Sequence, residues 1–198
     1  MTPDIKAIFL DVGNTLRIVV PDEPFMIEAK RQLAQLTGTT LAPDEFFVLL
    51  EERYKVLRKR AKEMLIEASE KEMWTKWMLP DFPEEKIAPL SAKLTRLWRD
   101  CDGRRVPREG STQVIIELHR RGYLLGLIAN TITETEIPDY IIEEGLGPYI
   151  KIIILSSRLG IRKPNPEIYW EAARQIGAEP AECVYLGDNL MRDMEGTR

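Results

Sequence analysis

Four short apolar runs, each closed by small polar residues, constrain what this chain can fold into more than any other feature. Ile5 to Leu10 stops at Asp11 and turns through Val12-Gly13-Asn14 into Thr15. Tyr123 to Ile128 ends in Ala129-Asn130-Thr131, Ile150 to Leu155 in Ser156-Ser157, and Cys183 to Leu186 in Gly187-Asp188-Asn189. Runs of this length bounded by turn residues read as strands buried on both faces. The amphipathic stretches Ser111 to Arg121, Ile137 to Glu144 and Pro166 to Gly177 alternate with them at crossover-helix length. The expectation is an α/β fold, a parallel sheet with helices on both faces. Ligands of open parallel sheets bind beyond the strands' carboxyl ends, so the four polar tips should gather on one edge.

Three carboxylates (Asp11, Asp188 and Asp193), the lysine of Arg162-Lys163-Pro164-Asn165-Pro166, and the small donors Asn14, Thr15, Asn130 and Thr131 would meet there. Hard oxygen ligands with room for water suit Mg²⁺ better than a soft metal. A dication and a lysine facing one carboxylate nucleophile would hold a phosphoryl group and neutralise its charge during transfer. Taken singly, Asp11 reads equally well as a turn cap and Lys163 as an ordinary surface lysine. Their convergence separates the two readings.

The segments FLDVGNTL, LIANT, IRKPNPEIY and VYLGDNLMRD resemble, in order, the four motifs of the haloacid dehalogenase (HAD) superfamily. The resemblance covers residues 1–18 and 106–198 as a Rossmann-like HAD core. It implies that Asp11 is a nucleophile forming an aspartyl-phosphate, steadied by Lys163. It further implies that Asp188 and Asp193 bind Mg²⁺ together with Asp11 and the backbone carbonyl of Gly13, while Asn130 hydrogen-bonds the phosphoryl group. The substrate so implied is a small phosphorylated metabolite.

Two positions depart from that pattern. Phosphatases of the superfamily carry a second Asp two residues after the nucleophile, where this chain has Gly13. General acid–base catalysis typically contributes about 10²–10⁴-fold, so its loss predicts a slow phosphatase. Ala129 stands where a Ser or Thr usually donates to the phosphoryl group, and Thr131 is a partial substitute two residues on. A metal-free dehalogenase, a phosphonatase using a lysine such as Lys30 or Lys55, and a non-catalytic binding protein of the same fold are the alternatives.

Residues 19–105 read as an inserted helical domain and resemble the C1 cap of the superfamily. Phe25 to Leu36, Pro43 to Met64 and Pro89 to Trp98 carry apolar residues at helical spacing, with Leu50, Tyr54, Leu57, Ala61 and Met64 on one face. A cap would roof the pocket and exclude water, favouring small substrates. Its expected hinges lie near Arg17 to Asp22 and Asp102 to Arg108. Lys55, Arg58, Lys59 and Lys62 form a basic stripe, read as a solvated face against Glu51, Glu52 and Glu63 or as an anion-binding face. Trp74, Trp77 and Phe82 suggest core packing, a homodimer contact or a pocket wall. His119, the one histidine, reads as a helix-surface residue.

A balance of 28 Lys and Arg against 32 Asp and Glu disfavours a nucleic-acid binder. Cys101 and Cys183 have no metal-ligand spacing, which points to a reduced, cytoplasmic setting. No apolar stretch approaches the roughly 18 residues of a membrane span. The resemblance would continue the segment after Asp193 through a helix into a further strand, whereas the sequence stops at Arg198.

Overall fold

The computed structural model describes residues 4–197. Strand β1 (Ala7–Leu10) leads into β2 (Arg17–Val20), and the helices α1 (Glu23–Thr37), α2 (Pro43–Met64), α3 (Glu70–Glu72), α4 (Glu84–Ile87) and α5 (Ser91–Asp100) follow. The chain returns through β3 (Arg104–Pro107) to α6 (Ser111–Arg120), β4 (Leu124–Ala129), α7 (Glu136–Glu143), β5 (Ile150–Leu155) and α8 (Ser156–Leu159). It continues through α9 (Glu167–Ile176), β6 (Cys183–Leu186) and α10 (Leu190–Glu195). Strands β5, β4, β1 and β6 pair in that order, all parallel.

The α/β architecture expected from the sequence is the one observed, and β1 shows why. Its side chains alternate, Ala7 and Phe9 packing with Ile168 and Ala172 of α9, Ile8 and Leu10 with Ile115 of α6 and Ile141 of α7. A strand buried on both faces has no solvent side, so its sequence is apolar throughout. Backbone pairing runs one residue beyond β1, where the Asp11 amide donates to the Leu186 carbonyl at 2.8 Å. That bond sets Asp11 beside the turn that carries Asp188.

The helices between β2 and β3 close around their own apolar core, in which Leu33, Leu50, Trp74 and Leu94 are fully enclosed. Trp74 donates its indole N–H to Thr95 Oγ1 at 2.8 Å, which satisfies the polar atom it buries. Trp77 and Phe82 pack against the same cluster, so the aromatic group is core. His119 is exposed on α6, edge-on to Tyr149.

The two stretches expected as hinges pair with each other: β2 and β3 form an antiparallel ribbon from Arg17 opposite Pro107 to Val20 opposite Arg104. Glu136 of α7, 6% exposed, gathers three arginines at the foot of this ribbon. Arg17 reaches it at 2.7 Å, Arg99 of α5 at 2.6 Å and Arg105 at 3.1 Å. Burial works against the Glu136 charge, but the three arginines hold its carboxyl below the usual range. A second tie joins Glu67 N to the Gly160 carbonyl at 2.9 Å, next to a bridge between Ile66 and Ile161.

Candidate active site

Asp11 is 4% exposed and Lys163 only 1%, and the two face each other at 3.0 Å through Oδ1 and Nζ. Lys163 Nζ also lies 3.2 Å from Asp193 Oδ1 and donates to the Tyr185 hydroxyl. Burial pushes the Asp11 carboxyl up and the Lys163 ammonium down, each partly opposed by its neighbours' charges. Charges this enclosed are tolerated only in company, since removing one partner strands the other in a poorly solvated site. Lys163 is aimed by Asn130 at the tip of β4. Asn130 Oδ1 accepts from Lys163 N at 2.8 Å and Nδ2 donates to the Lys163 carbonyl at 2.9 Å.

The second half of the site comes from the β6–α10 turn. Asn189 accepts from Arg192 N at 2.9 Å, capping α10, while its own amide donates to Asp193 Oδ2 at 3.0 Å. Gly187 is required by this closure, because a Cβ there would collide with the Asp193 carboxylate. Carboxylate oxygens of Asp11, Asp188 and Asp193 fall within 4.8 Å of one another, a grouping able to hold a metal ion. The Arg192 guanidinium spans it, with NH2 at 2.7 Å from Asp11 Oδ2, 2.9 Å from Asp188 Oδ1 and 3.2 Å from Asp193 Oδ2. Asp193 is desolvated, yet Arg192 and Lys163 bring its carboxyl below its usual range.

The remaining expected residues divide. Asn14, held at φ 57°, reaches Asp188 Oδ2 through its side-chain amide at 3.3 Å, so it stands at the acidic group. Gly13 is exposed, and a Cβ there would meet nothing within 4 Å. The Thr15 hydroxyl is enclosed and has no hydrogen-bond partner among the described residues. Thr131 turns its Oγ1 to the Thr133 amide at 3.2 Å, serving the loop into α7. The Asn130 amide expected to face a phosphoryl group is closed at both ends on the backbone of Lys163.

The family description "haloacid dehalogenase-like hydrolase" matches residues 5–198. The chain belongs to that family. This hydrolase is 27% identical to the glyceraldehyde 3-phosphate phosphatase of Methanothermobacter thermautotrophicus, over 97% of its own length and 80% of that protein's. It is 33% identical to the glyceraldehyde 3-phosphate phosphatase of Methanopyrus kandleri, over 41% of the chain and 35% of that protein, so this second match spans about a third of the relative. Its fold matches the solved 2-haloacid dehalogenase of Pseudomonas syringae with a TM-score of 0.68 at 20% identity, covering 98% of the hydrolase and 82% of that chain.

The hydrolase has a cavity of about 380 Å³ lined by residues of α2 and α5 and by Asn130, Thr131, Arg162 and Arg192, the last of which joins it to the acidic group. Glu67, 8% exposed, holds Arg162 at 3.2 Å and accepts from Ser156 Oγ at 3.1 Å. Burial pushes the Glu67 carboxyl up, with Arg162 and Ser156 opposing. Sequence reasoning missed Arg192, Glu67 and Tyr185. Arg192 carried a readable signal, since it follows Asp188 by four residues and sits beside Asp193 on the same short helix. No helix among the described residues is long and apolar enough to cross a membrane.

Proposed function

We propose that this hydrolase is a Mg²⁺-dependent phosphatase of small phosphorylated metabolites acting through an aspartyl-phosphate on Asp11. The observation that carries the proposal is the convergence of Asp11, Lys163, Asp188 and Asp193, joined through Arg192 to a cavity of metabolite size that Arg192 lines. The names of the two relatives support the same reaction class. The donor set fits the metal: three carboxylates supply hard oxygens, and their shared position already attracts a cation in the Arg192 guanidinium. Asp11, Asp188 and Asp193, with the Gly13 carbonyl, would hold Mg²⁺, which when bound neutralises phosphoryl charge.

The chain's own residues account for the rest. A carboxylate oxygen of Asp11 attacks phosphorus, the bond from phosphorus to the ester oxygen breaks, and the aspartyl-phosphate forms. Water then attacks that phosphorus, releasing inorganic phosphate and restoring Asp11. Lys163 fixes the Asp11 carboxylate by contact at Oδ1, and the Asn130 clamp fixes Lys163. No carboxyl at position 13 protonates the departing oxygen, so alkyl phosphates turn over slowly.

The test is phosphate release from a metabolite panel with and without Mg²⁺, comparing the native chain with Asp11→Asn. Turnover that requires both supports the assignment, and a rate indistinguishable from Asp11→Asn on every ester sinks it. The Arg192 guanidinium bridging the three carboxylates favours one second reading, metal-free hydrolysis of 2-haloacids. Asp11-dependent halide release in the presence of a chelator would establish that reading instead.

A further inference from the structure

The basic stripe on α2 is not one surface. Lys55 and Arg58 line the cavity, with Glu51 and Tyr54 on the same helical face at the spacing of one to two turns. Lys59 and Lys62 do not line it, and Lys59 lies 3.9 Å from Glu63. The cations across the cavity have partners: Arg162 has Glu67 at 3.2 Å and Arg192 has the acidic group. Among the described residues, neither Lys55 nor Arg58 forms an ion pair or a side-chain hydrogen bond. The carboxylates Glu51, Glu67 and Asp102 line the cavity beside the cations Lys55, Arg58, Arg99, Arg162 and Arg192, so the lining keeps an excess of positive charge. Arg192, which lines the same cavity, touches the nucleophile at 2.7 Å.

We propose that Lys55 and Arg58 recognise a second anionic group on the substrate, a carboxylate or a further phosphate, at the end remote from the reacting phosphoryl group. This rests on the phosphatase assignment above for the reacting end. Three features support it. Neither cation is in direct contact with a carboxylate among the described residues, Arg58 acting on Glu67 only through space, so binding an anion breaks no existing ion pair. A recess of about 380 Å³ confines the ligand to the size of a small metabolite with charges at both ends. Edge-to-face packing of Tyr54 on Trp98, at 5.5 Å, backs the exposed Lys55 and Arg58, which are free to donate charge-assisted hydrogen bonds to an anion in the cavity.

The experiment compares glyceraldehyde 3-phosphate, which has no second anion, with 3-phosphoglycerate and 1,3-propanediol bisphosphate. The two doubly anionic esters should have the higher kcat/KM. Arg58→Gln and Lys55→Gln should each reduce that preference by about tenfold to a hundredfold, through KM, the scale of a charge-assisted hydrogen bond. Lys59→Gln and Lys62→Gln, on the same helix but outside the cavity, should leave the preference unchanged. Equal loss on all three esters in Arg58→Gln, or native preference for glyceraldehyde 3-phosphate, overturns the proposal. Calorimetric titration of 3-phosphoglycerate into Asp11→Asn, with and without Arg58→Gln, separates the two claims. Binding that depends on Arg58 without any turnover retains the anion site while the phosphatase assignment fails, and absent or Arg58-independent binding removes the site. The carboxylate and bisphosphate arms identify which anion the wall takes.

Discussion

Replacing Gly13 with aspartate should accelerate the hydrolysis of alkyl phosphates. An added Cβ meets no heavy atom within 4 Å, and Gly13 is not among the glycines held at positive φ. The backbone of the turn is secured independently, by Asn14 N donating to the Arg17 carbonyl at 2.8 Å. The substitution therefore adds a carboxyl two residues from Asp11 at little structural cost. A positioned acid contributes about 10²–10⁴-fold, equivalent to about 3–5 kcal/mol of barrier. The new carboxylate also adds negative charge beside three others, so the gain should fall toward the lower bound. The assay is phosphate release at saturating Mg²⁺ from an alkyl ester and from p-nitrophenyl phosphate, whose leaving group departs without a proton. The alkyl ester should gain at least about tenfold more than the aryl ester, and the gain should fade at high pH as the new acid ionises. Equal acceleration of both esters, or the same gain in Gly13→Ala, would refute the reasoning.

Glu136→Gln should lower stability by about 3–5 kcal/mol in urea unfolding, because three arginines lose their shared buried carboxylate. The pH dependence follows from the same group. Its folded pKa lies below the ordinary 4.5, so its contribution is full above that value and is lost as pH falls through the folded pKa. Acid melting curves should show a drop in native Tm below pH 4.5 that is smaller in Glu136→Gln. Arg192→Ala should tighten Mg²⁺ binding measured by calorimetry, since the guanidinium occupies the same carboxylate oxygens, and weaker binding would contradict that competition. Asn130→Ala should cut turnover while leaving substrate affinity little changed, because its amide orients Lys163.

The parallel sheet was legible because its strands are buried on both faces, which forces continuous apolar runs, and because each run ends in residues unsuited to a strand interior. The acidic residues were legible for the same reason, since strand tips determine which carboxylates meet. The β2–β3 ribbon was not. Arg-Ile-Val-Val and Arg-Arg-Val-Pro show no alternation, and their pairing spans the whole helical segment, beyond the reach of local pattern. Glu136 stands just before the expected Ile137 to Glu144 helix and carried no local signal, since its three partners come from β2, α5 and β3. The Asn130 clamp depends on a loop closing over β4 from residues 33 positions away, so residue type announced a donor while the fold decided its recipient. Arg192 was obscured by its neighbours: a ligand-like aspartate on either side in space draws attention to the anions and away from the cation between them.

The β2–β3 ribbon also brings the two ends of the helical segment together. Val20 lies opposite Arg104, so the chain leaves the sheet and comes back at adjoining points, a gap that a two-residue hairpin turn would span. A change of length between those points would be taken up at this stem and at the Glu67–Gly160 tie, leaving the register of the four parallel strands as it is.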